Sequence, residues 1–215
     1  MNNPFDNFDA IYCINLDHRK DRWEQCQLEF DKVGILDKVR RFPAVKHNDG
    51  RVGIIKSNLA IVRNAKVMEY KNVLVFEDDV KFLEPSTVLQ NLSTAFEQAT
   101  GLNIDWSLFY LGANTHTKLQ KLSPNIVRLT NAYAVHSMAY SSKVYDKFID
   151  YASKVNYITR QQDILDVWLA DVIQANEMCL MVNPMLTTQR ESYSDIEKRF
   201  VNYSFIEERF NKNIK

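Results

Sequence analysis

The stretch VLVFEDDVKF (residues 73–82) decides the fold. Val73 to Phe76 is a short apolar run, β-branched at two positions and bounded by polar residues. That is the pattern of a strand buried on both faces in a parallel sheet. Glu77, Asp78 and Asp79 follow where the strand must leave the core, and ligands of open α/β sheets bind at such exits. Three adjacent carboxylates repel one another, so they need solvent, a cation, or both.

Working outward, apolar runs alternate with helical patterns. AIYCINL is a strand candidate, and RWEQCQLEFDKVG sets Trp23, Cys26, Phe30 and Val33 at helical spacing with Gly34 as a stop. VRRFPAV reads as a short strand ended by Pro43, and Ser57 as the cap of a helix carrying Ile61, Ala65 and Met68 on one face. Beyond the acidic strand come a helix near STVLQNLSTAFEQA, a strand in DWSLFYLG and one or two more in NIVRLTNAYAVHSMAYS. Helices in SKVYDKFIDYAS and QQDILDVWLADVIQA and a late strand in MCLMVNP complete the alternation. The expectation is an α/β fold, a mostly parallel central sheet flanked by helices, in a single domain spanning 1–215. The segment 197–215 spaces Phe200, Tyr203, Ile206 and Phe210 as a docked helix or a mobile lid would.

Composition narrows the classes. The chain has 215 residues, 46% hydrophobic and 25% charged, with 27 basic and 27 acidic side chains. The even balance gives no field favouring nucleic acid or an anionic membrane. No apolar segment approaches the roughly 18 residues of a membrane span, and MNNPFDNFDA lacks the basic start and apolar run of a signal peptide. Cys13, Cys26 and Cys179 form no C-x-x-C pair and read as free thiols. A cytoplasmic protein is expected.

Two chemistries suit the acidic strand, beside the plain reading as a polar turn. Hard cations such as Mn²⁺ or Mg²⁺ prefer carboxylate oxygens and could clamp a diphosphate there. A phospho-receiver domain also gathers carboxylates around Mg²⁺, but its acidic pair follows the first strand and its acceptor Asp ends a later one. Here the acidic run comes late and SLFYLG ends in Gly112, so the receiver pattern fails. INLDHRKDRW adds Asn15 and Asp17 at a strand end, with Arg19 and Arg22 around the next helix start. Those groups suit a nucleotide's polar edges and phosphates, or a capped helix with solvated arginines.

In chain order INLDHRKDRW, RFPAV, GIIKSNLAIVRNA, VLVFEDDV, DWSLFYLG, TNAYAV, LDVWLA and PMLTTQRESYSDI resemble glycosyltransferase family 25, from about Ile11 to Ile196. That family includes lipooligosaccharide galactosyltransferases of lipopolysaccharide biosynthesis and procollagen galactosyltransferases. The resemblance implies a GT-A-like nucleotide-sugar-binding fold and metal-dependent, inverting transfer of galactose or glucose from a UDP-sugar to a glycan or other hydroxyl acceptor. It places Glu77, Asp78 and Asp79 at the metal and ribose site, and Asn15, Leu16, Asp17, Arg19 and Arg22 on the nucleotide-side motif. Gln189, Arg190, Ser194 and Asp195 would close over the donor phosphates or the acceptor. Asp163 and Asp166, three apart on a helix face, are the candidates for the base that takes the acceptor proton; in register with LDVWLA the choice is Asp166. The resemblance also puts Ser57 and Asn58 among the nucleotide-binding residues, and Ser57-Asn58 and Thr130-Asn131 stand where the family has Ser-His and Thr-His. Asn cannot titrate near neutral pH, which leaves a catalytically silent sugar-nucleotide or glycan-binding relative as the alternative; His136 is a candidate to compensate.

Overall fold

The computed structural model describes residues 3–194 and 198–214. Its elements begin with β1 (Ala10–Asn15), α1 (Lys20–Lys32), β2 (Val39–Pro43), α2 (Gly50–Val67), β3 (Asn72–Glu77), β4 (Val80–Phe82) and α3 (Val88–Gly101). There follow β5 (Leu108–Tyr110), β6 (Asn114–Thr115), β7 (Gln120–Ser123), β8 (Ile126–Leu129), β9 (Ala132–Tyr133), β10 (Ser137–Ser141) and α4 (Ser142–Lys154). The last part holds α5 (Leu165–Trp168), β11 (Cys179–Val182), β12 (Thr187–Gln189), β13 (Ser192–Ser194), β14 (Arg199–Val201) and α6 (Phe205–Asn213). A π-helical stretch, Leu169–Gln174, continues α5.

One eight-stranded sheet runs in the order β2-β1-β3-β10-β5-β11-β8-β7. From the pairings, β2, β1, β3, β5, β11 and β7 point one way while β10 and β8 oppose them. The α/β architecture with a mostly parallel sheet is therefore as the sequence predicts. Its residues alternate between two apolar clusters, because successive strand side chains point to opposite faces. Tyr12, Ile14, Val73, Val75, Tyr110, Met138 and Tyr140 face one layer with α2, α4, α5 and α6. Ile11, Cys13, Leu74, Phe76, Phe109, Ala139 and Leu180 face α1 and α3. Helices on both faces leave β3 buried throughout its apolar run, which is why VLVF carries no polar residue.

Several local expectations need correction. Ser57 does not begin α2. The helix starts seven residues earlier at Gly50, where the Asp49 carboxylate accepts from Arg51 N at 3.0 Å. Ser57 lies inside it, its hydroxyl donating to the Gly53 carbonyl and accepting from Val45 N, both at 2.8 Å. Met68 is exposed beyond the helix end, while Ile61 and Ala65 are buried. The segment expected to hold one or two strands after residue 124 holds β8, β9 and β10. The ribbons β4–β12 and β13–β14 carried no legible period, being three residues long on each side. Gly34 does end α1's turn, at φ +66°, and all three cysteines are free and buried.

The C-terminal helix α6 buries Ile206 and Phe210 in the first cluster. Its end is tied down by Asn213, whose side chain donates to Thr115 O at 3.0 Å and whose carbonyl accepts from Leu119 N at 2.9 Å.

One contact fixes how β5 meets the site-bearing ribbon. The Leu111 carbonyl accepts from Leu186 N at 2.8 Å, and a Cβ on Gly112 would stand 2.0 Å from the Thr187 carbonyl oxygen. Gly112→Ala should therefore cost about 3 kcal/mol or more in urea unfolding, as overpacking against backbone does. Gly101→Ala, with nothing within 4 Å of the new methyl, should be neutral or gain up to about 1 kcal/mol. Equal stabilities for the two variants would show that the β5–β12 approach is not tight.

Candidate active site

β1 and β3 are parallel neighbours with Ile14 opposite Glu77, so Asn15 and Asp78 leave the sheet side by side. Asn15 is almost wholly buried and uses its whole amide. Its Nδ2 donates to Asp78 Oδ2 at 2.8 Å and to Arg19 O at 3.0 Å, and its Oδ1 accepts from Arg41 Nε at 2.9 Å. Arg22, in the first turn of α1, donates to Asp78 Oδ1 at 2.6 Å, and to Ser192 Oγ and Tyr193 O at 2.8 Å each. Both carboxylate oxygens of Asp78 are thus taken, and this residue braces the strand exit.

Its two neighbours are held differently. Asp79 accepts from Gln189 Nε2 at 3.2 Å on Oδ2, while its buried Oδ1 has no hydrogen-bond partner among the described residues. Burial pushes the Asp79 carboxyl up to about 6, against the pull of Arg22 and with a further push from Asp78. Glu77 is raised well above its ordinary value by burial first, then by the charges of Asp79, Asp166 and Asp78. No hydrogen bond holds its carboxylate among the described residues.

Glu77, Asp78 and Asp79 line a cleft of about 300 Å³ together with Leu16, Arg22, Ser57 and Gln189. Other predicted residues lie outside its walls. Asp17 is 78% exposed and pairs with Arg41 at 2.8 Å, and Arg19 pairs with Asp21 at 2.8 Å. Asn58 is buried in the core, donating to Ile54 O at 2.9 Å and accepting from the Tyr140 hydroxyl at 3.1 Å. A nucleotide contact from Asn58 is therefore a misreading. Arg190 braces the acidic turn from behind through Asp79 O (2.6 Å) and Asp78 O (2.8 Å). Ser194 sits in β13 opposite Arg199, and Asp195 lies outside the described residues.

Asp163 and Asp166 do not share a helix face, contrary to the sequence expectation. Asp163 closes a 3-10 turn, accepting from Thr159 Oγ1 at 2.9 Å, from Arg160 N at 3.0 Å and pairing with the Arg160 guanidinium at 2.9 Å. Those bonds hold its carboxyl well below the usual range. Asp166 opens α5 one backbone break later, and its Oδ2 accepts from Ala134 N at 3.0 Å. Burial raises its carboxyl, and that backbone bond opposes the rise. Ala134 takes φ +69° to make the contact, a conformation that costs an L-residue roughly 1–3 kcal/mol. His136 does not stand in for Asn131. Its ring is fully buried beside Thr187, with Nε2 3.3 Å from Oγ1, and burial lowers its value to about 4, so it is neutral near pH 7.

Sequence reasoning missed His18, the loop from Ala44 to Asn48, Gly53 and Tyr203, which complete the cleft. VKHNDG ahead of α2 carried a polar turn signal. A Cβ on Gly53 would come 2.8 Å from the Val45 carbonyl oxygen, so the glycine lets helix and loop close on each other. Tyr203 was legible only as one of the spaced residues of a C-terminal helix or lid; that it lines this cleft comes from folding alone, which brings it to strands far earlier in the chain.

No protein-family profile matches the chain. Mouse procollagen galactosyltransferase 2 is 26% identical over 164 residues, covering 62% of this chain and 26% of that protein. The likeness is to a glycosyltransferase. The chain spans about a quarter of that relative's length. Among solved structures, a glycosyltransferase involved in glycosylation of the major capsid of PBCV-1 superposes with a TM-score of 0.43 at 10% identity, covering 70% of this chain and 68% of that one. Apo UDP-glucose pyrophosphorylase gives 0.46 at 8% identity, covering 94% and 80%. No helix among the described residues is long and apolar enough to cross a membrane.

Among the described residues no three carboxylate, imidazole or thiol groups converge into a metal cage. The donor set nonetheless fits a hard cation in part, because among the described residues Asp79 has an orphaned oxygen and the Glu77 carboxylate lines the cleft with no hydrogen bond to it. Without a cation, Asp79 is penalised. Its folded value lies above its unfolded one, so the penalty vanishes below about pH 4 and is complete above about pH 6. In metal-free buffer Asp79→Asn should gain about 1–3 kcal/mol at pH 8 and nothing at pH 4. A loss at pH 8 in chemical unfolding would mean that the charge is already compensated.

Proposed function

We propose that the chain is a glycosyltransferase of family 25 type with a GT-A-like fold, moving a hexose, galactose or glucose, from a UDP-sugar to a hydroxyl acceptor with inversion. The observation that carries this reading is Asp166. It is a carboxylate fixed by one backbone N–H, lifted by burial and close enough to Glu77 for their charges to interact. A base poised above its ordinary range is suited to accept a proton near neutral pH. Asp163, spent on its own turn, is not proposed as a base.

In this mechanism the acceptor oxygen attacks the anomeric carbon, the bond from that carbon to the phosphate oxygen breaks, and the acceptor proton passes to Asp166. Arg22 and Gln189 line the acidic cleft and would face the departing diphosphate. Glu77 and Asp79 would hold Mn²⁺ or Mg²⁺, with Asp78 kept as their brace; such an ion neutralises charge developing on a departing diphosphate. A silent sugar-nucleotide or glycan-binding relative is the second reading, resting on Asn58 and Asn131, which cannot titrate where the family has histidines. Release of UDP from a UDP-sugar in the presence of acceptor separates an enzyme from a binding protein.

Asp166→Asn keeps the side chain's size and its acceptor oxygen for Ala134. Turnover should fall roughly 10²–10⁴-fold with the donor dissociation constant nearly unchanged, the range for losing a general base. Asp163→Asn should leave turnover near normal and lower the melting temperature slightly, through the weakened bonds to Thr159 and Arg160. Near-normal turnover in Asp166→Asn sinks the assignment. For the ion, Asp79→Asn should abolish the Mn²⁺-dependent part of UDP binding in calorimetry. Equal UDP affinity with and without Mn²⁺ in both proteins would remove the metal from the mechanism.

A further inference from the structure

We propose that the groove between α4 and the segment 155–172 binds a neutral oligosaccharide, and that this is where the acceptor glycan lies. The second half of the statement rests on the transferase reading above; the first does not. The groove encloses about 640 Å³, within the range of about 300–1,000 Å³ typical of small-molecule sites. It shares no lining residue with the acidic cleft.

Its chemistry is that of sugar recognition. Tyr151 and Trp168 stack at 4.2 Å and 7°, backed by Phe148 at 6.1 and 6.0 Å. The Tyr151 hydroxyl is tied to Asp163 O at 2.8 Å, so the aromatic slab is rigid before any ligand arrives. Tyr157 stands at the rim, 69% exposed. A pyranose has one face of C–H groups, which suits the electron-rich face of an aromatic ring. Its hydroxyls need groups that both donate and accept, as the Asn156 and Gln162 amides do.

The charges say which glycan. Each cation of the groove already faces a carboxylate: Lys154 with Asp150 at 2.7 Å, Arg160 with Asp163 at 2.9 Å, and Lys147 with Glu177. A phosphorylated or acidic sugar would have to displace a carboxylate to be paired, whereas a neutral one need not. Position supplies the link to chemistry. Asp163 and Trp168 line the groove, and Asp166, whose carboxylate accepts from Ala134 N, lies between them in the same short segment.

Saturation-transfer NMR and calorimetry on the full chain, with lactose, maltotriose and 3′-sialyllactose as probes, test this. Lactose or maltotriose should bind, and Tyr157→Ala and Gln162→Ala, both at exposed positions, should each weaken it about three- to tenfold. Mn²⁺-dependent UDP binding and melting temperature should stay as in the parent. The groove proposal is overturned if neither neutral sugar binds, if both variants bind like the parent, or if 3′-sialyllactose binds more tightly than lactose. UDP binding without sugar binding rejects the groove and leaves the donor reading standing. Sugar binding without UDP binding supports the groove as a glycan site and rejects its role as an acceptor subsite.

Discussion

The ion pair between Arg22 and Asp78 is the constraint on which the site depends. Both side chains are about nine-tenths buried at a separation of 2.6 Å. Breaking such a pair typically costs about 3–5 kcal/mol, because the surviving charge stays buried. The guanidinium does more than neutralise Asp78. Its other terminal nitrogen reaches Ser192 and Tyr193, so a single planar cation joins α1, the exit of β3 and the β13–β14 ribbon. Asn15 closes the arrangement from β1 by donating to the second Asp78 oxygen. With Asp78 committed in this way, its neighbours Glu77 and Asp79 are turned to the cleft without full compensation, and that is what makes the exit chemically distinctive.

Much of the fold was legible because burial on two faces leaves a plain signature. β1 and β3 are apolar along most of their length, and the helix patterns of α1, α3 and α4 follow the 3.6-residue period. The start of α2 was misjudged because Ser57 and Asp49 are both plausible caps, and only tertiary contact decides between them. Ser57 is drawn to Gly53 and Val45, which uses up its hydroxyl. The three-residue strands of the site ribbons are too short to show any period, and they pair through backbone groups that every residue carries.

The site was legible in part, and the failures share a cause. Residue type told where polar groups gather: the carboxylates of β3, Asn15 and Arg22 do meet at one strand exit. It could not tell which were already engaged. Asn58 and Asp17 look available in the sequence, yet Tyr140 and Arg41 take them. Hydrogen-bond partners far apart in sequence decide whether a polar side chain is scaffold or instrument, and the separation of 82 residues between Tyr140 and Asn58 leaves no local trace.

Asp163 and Asp166 show the same principle in charge. They differ by three positions and by nothing in side-chain chemistry. One sits in a turn where a hydroxyl, a guanidinium and backbone N–H groups all favour its ionised form; the other has a single backbone donor and a desolvating wall. Two identical carboxyls are thereby driven to opposite sides of their ordinary value by their surroundings alone. The cost is carried by Ala134, which leaves the favoured backbone region to supply that donor. Strain of this kind persists only where surrounding structure over-determines it, and here β9, β10 and α5 do so by fixing the chain on both sides of the residue.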